Sequence, residues 1–219
     1  MNHSIFKKWI LIAAACIITY TTVLPQFTEA VAAPALRYGS YSVDVPDLQF
    51  RLKVLGYFKS DVTTYYGKMT RDAVERFQAD YGLVPDGVAG SKTWSLLKRV
   101  SVNQAELDLL ARIIYAESRG EPYKGQVAVG AVVMNRLQSN LFPDTVKGVI
   151  MQSGAFTAVN DGQFYLQPDA TAYKAALDAA AGWDPTGNAI YYFNPSTATS
   201  KWIWSRPQTV QIGRHIFAK

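Results

Sequence analysis

Cysteine and histidine are almost missing from this chain. Its only cysteine, Cys16, lies in the N-terminal apolar run, and its histidines are His3 and His215. With that N-terminal stretch set aside, no thiol is left for a disulfide, a thiolate ligand or a cysteine nucleophile. A zinc site takes several His or Cys ligands, which a lone imidazole cannot supply. Cys–His catalysis lacks its nucleophile, and a Ser–His–Asp triad would depend entirely on His215. A long apolar run is also lacking. The stretch from Trp9 to Leu24 is interrupted by weakly polar residues, and a membrane span needs about 20 consecutive apolar ones. No basic cluster resembles a nucleic-acid footprint. These absences predict no metal, no cofactor and no nucleic-acid partner, and they leave carboxylates as the groups for acid–base chemistry.

The first segment reads as an export signal. Lys7 and Lys8 precede the apolar run, and Ala30-Val31-Ala32 supplies small residues at the spacing of a cleavage site. A basic start, an apolar centre and an A-x-A site predict a signal peptide over residues 1–32, cut after Ala30 or Ala32. Cys16 sits too early in the run to be a lipoprotein cysteine. Export without disulfides points to a bacterium. Beyond residue 32, 20 Lys and Arg face 16 Asp and Glu, a modest positive balance that suits an anionic cell wall.

Between residues 41 and 98 the pattern predicts three short helices. Leu48, Leu52 and Leu55 form one stripe ending at Gly56. Ala73, Val74 and Phe77 form a second, with Thr70 as its expected cap and Gly82 as its end. Trp94, Leu96 and Leu97 mark a third, capped by Ser91 or Thr93. Nothing in this stretch positions chemistry. Leu48-Gln49-x-x-Leu52, Leu55-Gly56-Tyr57, Gly67-x-x-Thr70-x-x-Ala73-Val74-x-x-Phe77-Gln78, Gly82-Leu83 and Asp86-Gly87-x-x-Gly90-x-x-Thr93 together resemble the peptidoglycan-binding domain of bacterial wall hydrolases. The resemblance implies binding to peptidoglycan.

Residues 101–219 read as a second domain. Asn103 and Glu106 have the spacing of a capping box, and Leu107, Leu110, Ala111 and Ile114 then follow a buried helical face. Glu117 extends that series to the end of the helix, just before Gly120 and Pro122. A carboxyl beside an apolar stripe, at the negative end of a helix, tends to keep its proton and can donate it to a glycosidic oxygen. The plainer alternative is a surface glutamate paired with Arg119 or Lys124. Residues 125–134 are apolar on nearly every side, predicting a central buried helix opened by Pro122, with Gly125 and Gly130 permitting close helix contact and Asn135-Arg136 ending it. Beyond Asn140, aromatic and small polar residues dominate. Phe156, Thr157, Tyr191, Tyr192, Asn194 and Trp204 are the candidate sugar-binding residues, with Tyr191, Tyr192 and Asn194 expected in a loop wall before Pro195.

Ala116-Glu117-Ser118-Arg119-Gly120-Glu121-Pro122, Gly125-Gln126-Val127-Ala128-Val129-Gly130-Ala131-Val132, Gly154-Ala155-Phe156-Thr157, Gly182-Trp183-Asp184-Pro185, Tyr191-Tyr192-Phe193-Asn194-Pro195 and Trp202-Ile203-Trp204-Ser205-Arg206 resemble the spore cortex-lytic enzymes of Bacillus-type bacteria. Ser118 stands where Ala is common in that family. The resemblance implies a mainly α protein: a small three-helix peptidoglycan-binding domain plus a lysozyme-like α domain with minor β. It implies cleavage of cortex peptidoglycan during germination, with the family's catalytic glutamate at Glu117. It also implies an exported protein at the spore cortex or inner membrane, with a membrane-associated germination partner. A vegetative wall muramidase, or a non-catalytic wall-binding protein, would share the architecture.

Nine carboxylates lie in the second domain: Glu106, Asp108, Glu117, Glu121, Asp144, Asp161, Asp169, Asp178 and Asp184. Ordinary glycosidases use two. A lytic transglycosylase manages with one, because the muramoyl 6-hydroxyl attacks internally. Glu117 alone has a distinctive setting, which favours the second reaction, with Asp161 as the candidate base for a true hydrolase.

Overall fold

The computed structural model describes residues 35–219, all within one compact unit. The predicted leader over residues 1–32 lies outside the described residues, and no described helix is long and apolar enough to cross a membrane. The architecture is mainly α with one small sheet.

Helices α1 (Val45–Val54), α2 (Lys68–Asp80) and α3 (Ser91–Val100) enclose the first core. Leu48, Leu52, Phe77 and Leu97 meet there with Tyr66 and Trp94. The expected caps are corrected. Gly67 and Gly90 stand at the N-cap positions, and Thr70 and Thr93 lie buried at the third helical position. Each threonine is instead gripped by a glutamine from the preceding helix. Gln49 Nε2 donates to Thr70 Oγ1 at 2.9 Å, and Gln78 Nε2 donates to Thr93 Oγ1 at 3.1 Å. Each glutamine oxygen accepts a backbone N–H, from Thr63 at 2.7 Å and from Gly87 at 3.0 Å. Leu/Phe-Gln followed by Gly-x-x-Thr therefore encodes one device used twice. A buried amide with donors and acceptors satisfied ties a helix to the start of the next.

The second core is built on α4 (Gln104–Ser118), α5 (Tyr123–Gln138), α6 (Val146–Met151) and α8 (Ala170–Ala180). The capping box forms as expected: Asn103 Oδ1 accepts the Glu106 N–H and Glu106 Oε2 accepts the Asn103 N–H, each at 2.8 Å. Helix α5 is buried along most of its length, as an all-round apolar sequence requires, and it runs past Asn135-Arg136 to Gln138. Gly130 lies where three helices meet. A Cβ there would stand 2.8 Å from Ile114 Cδ1 and 2.9 Å from Ala179 Cβ. Gly125 faces Glu121 Cβ and Ile212 Cγ2 at 3.1 and 3.7 Å, so it serves contact with the sheet instead.

Strands β1 (Tyr191–Phe193), β2 (Gln208–Ile212) and β3 (His215–Ala218) form an antiparallel sheet in the order β1-β3-β2. Tyr191 and Tyr192 thus lie on a strand, not in the expected loop wall, because Tyr192 pairs with Phe217 and Phe193 with Ile216 far along the chain. Phe217 and Ile212 seat the sheet against Ala128 and Val132 of α5. Along the chain, α7 (Thr157–Asn160) follows α6, and the short α9 (Lys201–Trp204) lies between β1 and β2.

A single arginine marks the seam between the two cores. Arg51 of α1 is 1% exposed. Its Nε pairs with Asp47 and its Nη2 with Glu106 of α4, both at 2.8 Å, while Nη1 donates to the Ser101 carbonyl at 3.1 Å. Phe50 and Val54 of the same helix pack against the second core.

Candidate active site

Glu117 occupies the last turn of α4, which ends at Ser118 just before Gly120 and Pro122. It is half-buried, and its two oxygens have separate donors. Oε1 accepts the N–H of Ala158 in the first turn of α7 at 2.8 Å. Oε2 accepts the hydroxyl of Tyr192 on β1, also at 2.8 Å. Neither Arg119 nor Lys124 pairs with it: Arg119 donates to Gln163 Oε1 at 2.7 Å, and Lys124 forms no ion pair among the described residues. The carboxyl is therefore oriented by two uncharged groups from elements distant in sequence.

Tyr192 is a dependable donor. Burial, and then the nearby Glu117 carboxylate, push its hydroxyl well above the ordinary phenol range. Its ring rests on His215 with centroids 5.0 Å apart, on Phe217 at 5.9 Å and on Phe156 at 6.4 Å. Burial, the main effect, holds the His215 imidazole below its usual range against the pull of Glu121 and Glu117. A neutral ring at neutral pH suits its packed place behind Tyr192.

Most of the other carboxylates are occupied elsewhere. Glu106 caps α4 and meets Arg51, and Asp169 caps α8. Asp108 pairs with Arg112 and accepts the Tyr173 hydroxyl, while Asp178 accepts that of Tyr123. Asp184 gathers Thr186, Asn188 and Asn135 around a turn. Asp161 takes both the backbone and side-chain N–H groups of Gln163, which hold its carboxyl below the usual range. Asp144 is exposed.

Glu121 shows how a buried carboxylate becomes structural. Burial pushes its carboxyl up, but the Arg214 backbone N–H at 2.9 Å and guanidinium at 2.7 Å outweigh that and bring it below its ordinary value. A group depressed on folding adds stability above its unfolded pKa, about 4.3, and loses it as the pH falls through the folded value. Glu121→Gln should therefore melt well below the parent at neutral pH, with the gap narrowing as the pH drops below about 4.3. Thermal melts across that range test this, and a constant gap would show that the pair does not titrate with unfolding.

The predicted sugar-binding residues divide into groups. Tyr192 bonds to Glu117 and Phe156 packs near the Tyr192 ring, but Phe156 is 3% exposed and acts as packed wall, not open platform. Thr157 is exposed at the start of α7. Tyr191 is half-buried against Trp202, centroids 5.1 Å apart. Asn194 turns its Oδ1 onto the Ser196 N–H at 2.9 Å. Trp204 is 43% exposed, its ring edge-on to Phe193 at 4.8 Å. Neither Asn194 nor Trp204 bonds to Glu117. Arg136 escaped the sequence reading. As a polar residue ending an apolar helix it looks like a solvated terminus, yet it is 6% exposed within this aromatic group.

Two family models match the chain: a putative peptidoglycan binding domain over residues 41–97, and a cell wall hydrolase over residues 120–218, starting just beyond Glu117. A spore cortex-lytic enzyme of Bacillus cereus is 42% identical over 100% of this chain and 99% of its own length. The chain belongs to the spore cortex-lytic enzyme family. The spore cortex-lytic enzyme of Oceanobacillus iheyensis is 38% identical over 99% of this chain and 100% of its own. Solved catalytic domains of this family are also similar. That of the Bacillus cereus SleB protein is 64% identical with a TM-score of 0.52, covering 54% of this chain and 93% of that one. That of the germination-specific lytic transglycosylase SleB from Bacillus anthracis has the same identity and TM-score, covering 54% of this chain and 97% of its own. The family is enzymatic, and the mainly α architecture with a small sheet agrees with these relatives.

Proposed function

We propose that this chain cuts the glycan strands of spore cortex peptidoglycan during germination by lytic transglycosylation, with Glu117 as acid and then base. One observation carries the reading: Glu117 is held by an amide and a phenol, while among the described residues every other carboxylate of residues 101–219 except the exposed Asp144 is engaged with partners of its own. A hydrolase needs a further group to activate water. Glu117 gives its proton to the oxygen leaving muramic C1 as the C1–O bond breaks. The resulting carboxylate then takes the proton of the muramic 6-hydroxyl as that oxygen bonds to C1. No water is consumed, the strand ends in a 1,6-anhydro ring, and Glu117 regains its proton. Tyr192 and the Ala158 N–H keep the carboxyl aligned through both transfers, which is positioning of the kind that lowers barriers without new bonds.

Residues 41–98 hold the enzyme to peptidoglycan and residues 101–219 carry the chemistry. The leader exports the chain, and a membrane-associated germination protein is a candidate partner beside the cortex. Thr157, Tyr191, Tyr192, Asn194 and Trp204 line the path of the strand, with Phe156 as the wall beneath. Tyr191, Tyr192 and Asn194 favour muramic lactam, the cortex sugar.

Mass spectrometry of fragments released from purified cortex, with and without borohydride, tests the reaction. Anhydro ends resist reduction and are one water lighter than hydrolytic ends. Nearly all new ends should resist. Mostly reducible ends would demand a water-activating base, and Asp161→Asn should then abolish the activity.

A further inference from the structure

Arg136, in the last turn of α5, is a buried cation without an ionic partner among the described residues. Its Nε donates to the Ile190 carbonyl at 2.8 Å, and its Nη1 is buried with no hydrogen-bond partner. The guanidinium lies 5.0 Å from the Phe156 ring centre, 5.1 Å from Phe142 and 5.9 Å from Tyr191. Ring faces offset part of the desolvation of a cation, but they accept no hydrogen bond along its planar N–H fork. A buried donor left unmet in this way destabilises the fold unless another group meets it.

What could meet it has room to enter. Arg136 lines a cavity of about 360 Å³ whose wall includes Gln152, Ser153, Tyr191, Tyr192 and Trp202. Tyr192 is the residue whose hydroxyl holds Glu117, so the cavity adjoins the reacting carboxyl. Aromatic walls suit the apolar face of a sugar ring. An arginine fork suits a planar oxygen acceptor carried on that ring. In a peptidoglycan strand, muramic residues alone bear a lactyl group on the C3 oxygen, and its carbonyl oxygen persists whether the group is a free acid, a peptide amide or a lactam.

We propose that Arg136 is a specificity-determining residue, and that its cavity takes a muramic residue by the carbonyl oxygen of its C3 substituent. This deepens the cleavage reading and rests on it. It also goes beyond the residues expected from sequence, because it assigns recognition of muramic over glucosamine residues to a buried charge.

Binding is the decisive measurement, made on the full-length protein in a Glu117→Gln background so that no turnover is needed. Calorimetry with cortex oligosaccharides should show Arg136→Gln weakening affinity about tenfold or more, the loss of one charge-assisted hydrogen bond. Chitin oligosaccharides, which lack the C3 substituent, should bind equally to both proteins. Oligosaccharides with a lactam and with a free lactyl group separate the sources. Equal losses mean that the shared carbonyl is read, and a larger loss on one assigns that form. Ser153→Trp, at an exposed position on the cavity rim, should block the same ligands with Arg136 intact, and it decides the matter if Arg136→Gln fails to fold. In the otherwise wild-type enzyme, Arg136→Gln should raise KM while changing kcat no more than a few-fold. Unchanged affinity for muramic ligands in both variants, or an equal loss for chitin oligosaccharides, overturns the assignment. A folded wild-type enzyme that fails to cut cortex strands would count against the cleavage reading, while the binding results would stand.

Discussion

Glu117→Gln should yield a folded protein that still sediments with sacculi but releases glycan fragments at least about a hundred times more slowly. The substitution is nearly isosteric. The amide oxygen can keep one of the two donors, from Ala158 or Tyr192, so α4, α7 and β1 should stay where they are. What disappears is the transferable proton, and no other carboxylate bonds into this place. Asp161 is held by Gln163, and Glu121 by Arg214. Unchanged circular dichroism and sacculus binding would separate lost chemistry from lost structure. Fragment release within a few-fold of the parent would remove Glu117 from the mechanism.

Tyr192→Phe comes second in expected size. It deletes only the hydroxyl and leaves a ring to pack on His215 and Phe217. The bond removed becomes charge-assisted once Glu117 has given its proton to the leaving oxygen, and such bonds contribute about 1.5–3 kcal/mol, so kcat should fall roughly ten- to a hundredfold. Sacculus binding should be unaffected. A kcat equal to that of the parent would mean that the Ala158 N–H alone orients the carboxyl.

Signals whose partners lie within one helical turn match the structure, and those answered from far along the chain do not. The capping box at Asn103 and Glu106 formed because both partners lie within one turn. Thr70 and Thr93 looked like caps because hydroxyls near a helix start usually are. The competing demand came from Gln49 and Gln78, which lie 21 and 15 residues earlier. Glu117 stood out through its place on the α4 stripe. Its donors did not, since Ala158 and Tyr192 lie 41 and 75 residues away. Tyr191 and Tyr192 read as loop because three strand residues before a proline carry little periodicity, and the partner strand, at His215–Ala218, comes much later. Arg136 was hidden by its sequence neighbours. Only the folded arrangement of Phe142, Phe156 and Tyr191 makes that helix end an interior.

The Arg51 seam has a consequence for how the enzyme travels along its polymer. A module on a slack tether samples many distances, and its effective concentration is spread over all of them. Here one arginine holds Asp47, Glu106 and the Ser101 carbonyl together, and Phe50 and Val54 are pressed into the neighbouring core. These contacts set the wall-binding helices at a fixed spacing from Glu117, the proposed acid. If Glu117 is that acid, each landing should offer it the strand at a set offset, as a ruler would, and fragment lengths should cluster instead of spreading evenly.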